Sequence, residues 1–343
     1  MDTILYDFRS DTVTRPSATM RNIMAQAEVG DDVFGDDPSV NQLEETAARI
    51  LGKEAALFVP SGTQSNLVAI LTHCQPGDEY LTGQDAHVFK YEGGGAAIVG
   101  GVTAQPIDFE EDGTLDLDKL ATYIKPNDFH HTRTRLLCLE NTNANRVLSV
   151  QYLARAADFA HAYNLAVHLD GARLFNAAIA AKVNVADMAQ YADSVTICLS
   201  KGLGAPVGSL LCGRTDFIVR ARRWRKVLGG GMRQAGILAA AGLYALTHNV
   251  ARLHEDHENA AFLANQLRTL TAIEVLPYSA ITNMVFVRDP QKNGIARMQE
   301  LATFLQQRNI LIAPSNPLRI VIHLDVPRIA CERLAQAMMD FFA

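Results

Sequence analysis

The stretch "VTICLSKGLGAPVGS", residues 195–209, begins as an apolar run, reaches a serine and a lysine, and then breaks into glycine and proline. The apolar part is typical of a buried strand, and the glycines are typical of the turn that follows one. The turn does not require Lys201. An amine at the end of a buried strand is partly desolvated and becomes a nucleophile toward carbonyl carbons. Lys201 is therefore either such a nucleophile or an ordinary solvated loop lysine.

Other apolar runs precede Lys201 in the same pattern. Between residues 40 and 250, amphipathic stretches alternate with short apolar runs, which predicts an α/β domain with a mostly parallel sheet buried on both faces. The expected strands cover residues 55–60, 135–140, 165–170 and 194–200. Ligands of open α/β sheets bind beyond the carboxyl ends of the strands. We therefore expect one site to be lined by Ser61, Glu140, Asp170 and Lys201.

The chain length of 343 residues suggests two domains. "SVNQLEETAARILG" predicts a helix in which Ser39 caps the start, Gln42 completes a capping box and Gly52 ends it. After residue 250 the strand signals become shorter and a helix separates them, as in a smaller α+β domain. We predict an N-terminal arm with the large domain over 1–249 and a small C-terminal domain over 250–343.

Bulk composition excludes several classes of protein. The net charge is −6, and the basic run is confined to "RARRWRK" at 220–226, which argues against nucleic acid as the main ligand. No apolar window reaches the ~18 residues of a membrane span, and the charged start resembles neither a signal nor a transit peptide. The five cysteines are scattered without a C-x-x-C pair, which indicates reduced thiols and a cytoplasmic protein.

The segment "PSGTQSN", residues 60–66, follows an expected strand and opens a helix. The N–H groups of Gly62 and Thr63 and the hydroxyls of Ser61 and Thr63 can hold a phosphate at the positive end of the helix. The segment lacks the G-K-[ST] of a P-loop. An ordinary Ser/Thr helix cap is the other interpretation.

The segment "HLDGAR", residues 168–173, places Asp170 at a strand end, one strand–helix–strand unit before Lys201. Asp170 is either a plain turn residue or part of a site. A phosphate cup, a carboxylate and an amine together are the parts that pyridoxal phosphate requires. The lysine forms a Schiff base with the aldehyde, and the acid pairs with the ring nitrogen.

Further charged residues have open interpretations. His87 follows the next expected strand and either stacks on a cofactor ring and handles a proton, or is one of several structural histidines. Arg319, at the start of a strand in the small domain, either grips a substrate carboxylate or lies free on the surface. "DVFGDDP", residues 32–38, is acidic, but its spacing does not match a calcium loop, and we expect no metal.

Several long blocks resemble the low-specificity L-threonine aldolases of pyridoxal-phosphate fold type I. The similarity runs from about residue 6 to the C-terminus, and its blocks are "FRSDTVTRPSATM", "GDDVFGDDPSVNQLE", "PSGTQSNL", "HLDGARLFNAA", "CLSKGLGAPVGSLL" and "GGGMRQAGILAAAGLYAL".

The resemblance implies a role for each candidate residue. Lys201 would form the Schiff base, Asp170 would pair with the ring nitrogen and His87 would stack on the ring. The phosphate would be bound by Gly62 and Thr63, and by Lys226 and Arg233 reaching from a neighbouring subunit. The substrate carboxylate would be held by Ser10, Arg173 and Arg319, with Arg173 also close to the cofactor. The family assembles as dimers that pair into homotetramers.

The implied reaction cleaves the Cα–Cβ bond of L-threonine or L-allo-threonine to glycine and acetaldehyde. This chain departs from the family at one position. Many members have a histidine after the strand that ends here at Glu140, whereas this chain has Asn143. Asparagine does not titrate near neutral pH, so the β-hydroxyl proton would go to His87, to a water or to the cofactor phosphate.

Three rival functions use the same features. A β-eliminating lyase or a serine hydroxymethyltransferase would share the cofactor site. A nicotinamide oxidoreductase is suggested by the glycines of "GLGAPVG", although no acidic residue is placed to bind a ribose. A scaffold protein that binds the cofactor without turnover is the third.

Overall fold

A seven-stranded sheet lies at the centre of the molecule, for which a computed structural model describes residues 5–343. The strands of this sheet are β2 (Ala55–Val59), β3 (Asp78–Gly83), β4 (Thr103–Ile107), β5 (Arg133–Glu140), β6 (Ala166–Asp170), β7 (Ser194–Cys198) and β8 (Ser209–Gly213). Their order in the sheet is β2-β8-β7-β6-β5-β3-β4, with β8 antiparallel to both of its neighbours and the remaining pairs parallel.

Helices cover both faces of this sheet. Successive residues of a strand point to opposite faces, so each strand supplies apolar side chains to the helices on both sides. In β5, Leu137 and Leu139 enter the largest hydrophobic cluster, whereas Leu136 and Cys138 enter another. The α-helices are α1 (Ala18–Ala25), α2 (Pro38–Leu51), α3 (Gly62–His73), α4 (His87–Lys90), α5 (Gly95–Gly100), α6 (Leu117–Tyr123), α7 (Val150–Ala162), α8 (Leu174–Ala181), α9 (Val185–Ala189), α10 (Thr215–Val227), α11 (Gly236–Tyr244), α12 (Leu253–Leu267), α13 (Gly294–Gln306) and α14 (Arg328–Phe342).

Two smaller sheets accompany the central one. The antiparallel sheet β12-β10-β9 and the parallel pair β1-β11 are built from β1 (Tyr6–Asp7), β9 (Glu274–Val275), β10 (Met284–Arg288), β11 (Ile310–Leu311) and β12 (Leu318–Val321). A second hydrophobic cluster joins residues 260–338 with Tyr6 and Phe8 of the N-terminal arm. The arm therefore packs against the C-terminal part of the chain before it passes the central sheet.

The predicted α/β fold class is confirmed, and each of the four expected central strands forms within two residues of its predicted bounds. The predicted start of α2 is wrong. Ser39 lies inside the helix and donates its hydroxyl to the Glu28 carbonyl, whereas Asp37 is the N-cap and accepts the Val40 N–H at 3.0 Å. Pro38 occupies the first turn, where its fixed φ and missing N–H cost nothing. Gly52 ends the helix as predicted.

The acidic segment at 31–37 is occupied by protein contacts. Asp32 forms a buried ion pair with Arg225 at 2.8 Å, and Asp31 pairs with Arg233 at 2.9 Å. Asp37 caps α2 and accepts the Gly236 N–H. All five cysteines are buried free thiols. Within residues 5–343, the helices are too short or too polar to cross a bilayer.

Candidate active site

The carboxyl ends of the parallel strands meet at one edge of the sheet. Glu140 and Asp170 are partners in the β5–β6 register, and Asp170 is opposite Thr196 of β7. Asp170 is buried, with 3% of its surface exposed. Its Oδ1 accepts the Ala172 N–H at 3.0 Å, and its Oδ2 accepts from Asn66 Nδ2 at 2.8 Å. Both oxygens of this carboxylate thus have one fixed donor.

Lys201 follows β7 on the same edge and is half-buried. Its carbonyl accepts the Thr14 hydroxyl at 3.1 Å and the Gly204 N–H at 2.8 Å, which fixes the backbone on which the amine is carried. Lys201 thus stands on a backbone held by the N-terminal arm, three residues after β7 and at the edge where Asp170 ends β6.

Helix α3 begins directly beside the end of β7. A Cβ added to Gly62 would lie 2.8 Å from the Cys198 Sγ, so a larger residue would push the helix away from the strand. Ser61 caps α3 by accepting the Gln64 N–H at 3.1 Å. The interpretation of this segment as a Ser/Thr helix cap is therefore confirmed for Ser61. The N–H groups of Gly62 and Thr63 belong to the first turn, where they have no partner within the helix. They are free to bind an anion at the positive helix end.

His87 begins α4 and faces the buried carboxylates. Its backbone N–H donates to Glu140 Oε2 at 2.8 Å, and its Nδ1 is 2.8 Å from Glu92 Oε1. The Glu92 hydrogen bond raises the pKa of His87. One polar atom each of His87, Glu92 and Asp170 lies within 4.8 Å of the other two. The structure therefore brings His87 to Asp170, and it adds Glu92, which the sequence analysis missed.

Arg173, expected to bind a carboxylate, already holds one from the chain itself. Its Nε and Nη2 donate to the two oxygens of the fully buried Asp11 at 2.7 and 2.6 Å. Burial alone would raise the pKa of Asp11, but Arg173 brings it down to about 2. Burial and then the Arg173 charge lower the pKa of Arg319, and its Nη2 lies 3.5 Å from the Arg9 carbonyl oxygen in the N-terminal arm.

Asn143 follows the end of β5 and is buried. Burial and then the Asp170 charge raise the pKa of Glu140, the last residue of β5, to about 7. Ser10 precedes Asp11 in the arm, and its hydroxyl accepts the Thr12 N–H at 3.2 Å.

The remaining candidates lie at the end of α10 and in the loop after it. Lys226 and Arg233 are exposed on either side of the glycine run 229–231. A Cβ added to Gly230 would lie 1.9 Å from Gln64 Oε1, so this loop contacts the first turn of α3 in its own chain.

Comparisons with known proteins show which families the chain resembles. The sequence profile of the β-eliminating lyase family matches residues 7–290. The chain is 56% identical over 332 residues to the low specificity L-threonine aldolase of Escherichia coli K12, covering 97% of each chain. It is 46% identical over 328 residues to low-specificity L-threonine aldolase 1 of Arabidopsis thaliana, covering 93% of this chain and 91% of that one.

The structure resembles the solved threonine aldolase of Leishmania major with a TM-score of 0.83 at 20% identity, covering 98% of this chain and 100% of that one. At this identity the likeness concerns the fold, which is pyridoxal-phosphate fold type I. The identities to the E. coli and Arabidopsis enzymes extend over almost the whole length of the chain. The chain therefore belongs to the low-specificity L-threonine aldolase family.

Proposed function

We propose that this protein uses pyridoxal phosphate to cleave the Cα–Cβ bond of L-threonine and L-allo-threonine, giving glycine and acetaldehyde. The observation that carries the proposal is that Asp170, Lys201 and the start of α3 follow the carboxyl ends of three strands, β6, β7 and β2, at one edge of the sheet. The extensive identity to low-specificity L-threonine aldolases supports the choice of substrate and reaction.

The donor set fits pyridoxal phosphate. Gly62 and Thr63 offer unpaired N–H groups to its phosphate, and Asp170 offers a buried carboxylate to its ring nitrogen. Lys201 offers an amine to its aldehyde. When bound, the cofactor supplies an electron-withdrawing ring that accepts the electron pair released from the Cα–Cβ bond.

The chain's own residues have distinct tasks. We assign the substrate carboxylate to Arg173, Arg319 and Ser10, which lie around the N-terminal arm. His87 would stack on the ring of the bound cofactor. Its Nδ1 is engaged by Glu92, so its Nε2 is the nitrogen available for proton transfer. Asn143 orients the β-hydroxyl by hydrogen bonding but cannot accept its proton. That proton goes to His87 or to a water.

We further propose a homotetramer built from two dimers, in the cytoplasm, with Lys226 and Arg233 reaching the phosphate region of a neighbouring subunit. Large apolar side chains exposed on loops and short helices support subunit contacts, among them Phe34, Ile98 and Phe129 at 76%, 79% and 91% exposure. The division into domains at 249/250 remains our proposal.

Product analysis tests the reaction. L-Threonine and L-allo-threonine are supplied side by side to the holoenzyme, and glycine and acetaldehyde are measured against ammonia and 2-oxo acid. Glycine and acetaldehyde in equal amounts support the aldol cleavage. Ammonia with 2-oxobutanoate would instead indicate β-elimination, the reaction for which the matching family profile is named. Bound cofactor without any product would indicate a scaffold.

A further inference from the structure

A chain of hydrogen-bonded polar side chains leads from Asp170 at the end of β6 to Ser194 at the start of β7 and on to His73. Asn66 of α3 donates from the same Nδ2 to Asp170 Oδ2 and to Glu92 Oε1, at 2.8 Å each. Its Oδ1 is 3.1 Å from His168 Nε2, and His168 Nδ1 is 2.8 Å from the Ser194 hydroxyl. His73 Nε2 lies 2.8 Å from the same hydroxyl.

The groups in this chain are removed from water. Asn66 is 1% exposed, and both His168 and Ser194 are 0% exposed. Burial lowers the pKa of His168 to about 4 and that of His73 to about 3. Both imidazoles are therefore neutral at neutral pH, with one donor and one acceptor nitrogen each.

The chemistry of the two carboxylates gives every hydrogen bond a direction. Ionised carboxylates only accept, so the Asn66 amide nitrogen must face them and its oxygen must face His168. His168 therefore carries its proton on Nε2 and accepts at Nδ1 from the Ser194 hydroxyl. The Ser194 oxygen in turn accepts from His73 Nε2.

Asn66 has a demanding position. Two buried carboxylates lie on one side of its amide, and an amide turned by 180° would place its oxygen against both of them. Burial raises the pKa of Glu92 even though Asn66 and His87 both hydrogen-bond to its carboxylate. Among the described residues, His168 is the only side chain that hydrogen-bonds to the amide oxygen of Asn66.

We propose that His168 is a positioning residue, which with Ser194 behind it locks the Asn66 amide so that the Asp170 carboxylate is held ready for the cofactor ring. This inference rests on the proposed function, since it assigns Asp170 to the ring nitrogen. A donor fixed on Oδ2 leaves the remaining lone pairs of Asp170 directed at the site. A rotating Asn66 would release that carboxylate or repel it.

The test measures cofactor binding and the absorbance of the bound cofactor. His168→Phe removes both hydrogen bonds but keeps a planar ring of similar size, and His168→Gln retains a side-chain N–H donor for Asn66. Apo forms of the parent and of each variant are titrated with pyridoxal phosphate, and the absorbance spectrum is recorded from pH 6 to 9. His73→Phe, which removes only the far end of the chain, is the matched control.

We expect the Kd for pyridoxal phosphate to rise about tenfold in His168→Phe, the loss of roughly one buried hydrogen bond to a charged network. The pH at which the bound cofactor changes its absorbance should move in the same variant. His168→Gln should bring both values most of the way back, and His73→Phe should stay within about twofold of the parent. A purely structural role would lower the Tm of His168→Phe and His73→Phe alike and leave the spectrum unchanged.

Three results would overturn the inference. A His168→Phe protein with the Kd and the spectrum of the parent shows that His168 does not position Asp170, while the proposed function stands. Failure of the parent itself to bind pyridoxal phosphate removes the proposed function and this inference together. If His168→Phe does not fold, Ser194→Ala, which leaves His168 in place, should raise the Kd about threefold, and an unchanged Kd in that variant counts against the proposal.

Discussion

Asp11 and Arg173 form a forked, buried ion pair, with Nε–Oδ2 and Nη2–Oδ1 distances of 2.7 and 2.6 Å. The two residues are 162 positions apart in the chain, so the pair fastens the N-terminal arm to the turn after β6. The arm also donates the Thr14 hydroxyl to the Lys201 carbonyl. One short segment thus orients the guanidinium that we assign to the substrate and supports the lysine that we assign to the cofactor.

Asp11→Asn should leave the Arg173 guanidinium buried beside a neutral amide. We expect the free energy of unfolding to fall by roughly 3–5 kcal/mol and the KM for threonine to rise. Because the folded pKa of Asp11 is about 2, below its ordinary value of 3.8, the stability that it contributes is present above about pH 4 and is lost as the pH falls toward 2. Urea unfolding at pH 7 and pH 3 measures the loss of stability and its dependence on pH, and steady-state kinetics with threonine measures the KM.

Asp7→Asn is the control for that experiment. Asp7 pairs with Arg9 at 2.6 Å in the same arm, but the Arg9 side chain is 49% exposed. A surface pair of this kind contributes about 0–1 kcal/mol. If Asp7→Asn and Asp11→Asn lower stability and raise the KM equally, the buried pair has no special role.

Lys201 should carry the cofactor. Reduction of the holoenzyme with borohydride followed by peptide mapping should place the pyridoxyl group on Lys201, and a label on another lysine would contradict the assignment. Lys201→Ala should lose at least about a thousandfold in rate if covalent attachment carries the chemistry. Lys292→Ala, which removes an exposed lysine between β10 and α13, should keep the label on Lys201.

Arg233→Ala should weaken cofactor binding and loosen the oligomer. The residue is exposed and is held by Asp31 at 2.9 Å, in a loop that contacts the start of α3 through Gly230. A shared phosphate site predicts that the Kd for pyridoxal phosphate rises and that dissociation into smaller species occurs at higher protein concentration. Arg214→Ala, at an exposed pair with Asp216, is the control. An unchanged cofactor Kd in Arg233→Ala would remove the proposed role.

Asn143 should affect the choice between the two diastereomers. Asn143→His and Asn143→Ala are each assayed on L-threonine and L-allo-threonine. A hydrogen bond to the β-hydroxyl gained or lost should change the ratio of the two kcat/KM values by roughly 1 kcal/mol, or several-fold. If both variants keep the parent ratio, Asn143 does not contact the hydroxyl.

Glu140 should make the apo protein less stable as the pH rises. Burial and the Asp170 charge raise its folded pKa from 4.5 to about 7, so the folded state binds its proton more tightly than the unfolded state does. The stability linked to this proton is present below about pH 4.5 and is lost as the pH rises through 7. Glu140→Gln keeps an acceptor for the His87 N–H and removes the titration.

Melting temperatures of apo parent and Glu140→Gln at pH 5.5 and pH 8 measure this linkage. We expect the Tm of Glu140→Gln, relative to that of the parent, to be several degrees higher at pH 8 than at pH 5.5. A difference in Tm that is the same at both pH values would show that Glu140 does not titrate in this range.

Strand ends could be predicted from the sequence because a buried strand needs an uninterrupted apolar run, and a polar residue after such a run marks the sheet edge. This rule predicts that Asp170 and Lys201 belong to one site. It also predicts the phosphate cup at Gly62 and Thr63, which follows β2 and opens α3. Arg319 is indicated by its place at the start of a strand, whereas Ser10 and Asn143 are indicated by the family resemblance alone.

Only the tertiary structure decides which side chains contact those residues. Asn66 reaches Asp170 across 104 positions, and Asp11 reaches Arg173 across 162. Glu92, Asn66 and Asp11 do not end any strand of the central sheet, and the phosphate-cup interpretation of residues 60–66 gives Asn66 no role. Their roles arise because buried carboxylates must find donors and buried guanidiniums must find acceptors. The backbone pattern determined where the site lies, and packing in three dimensions decided which polar groups satisfy it.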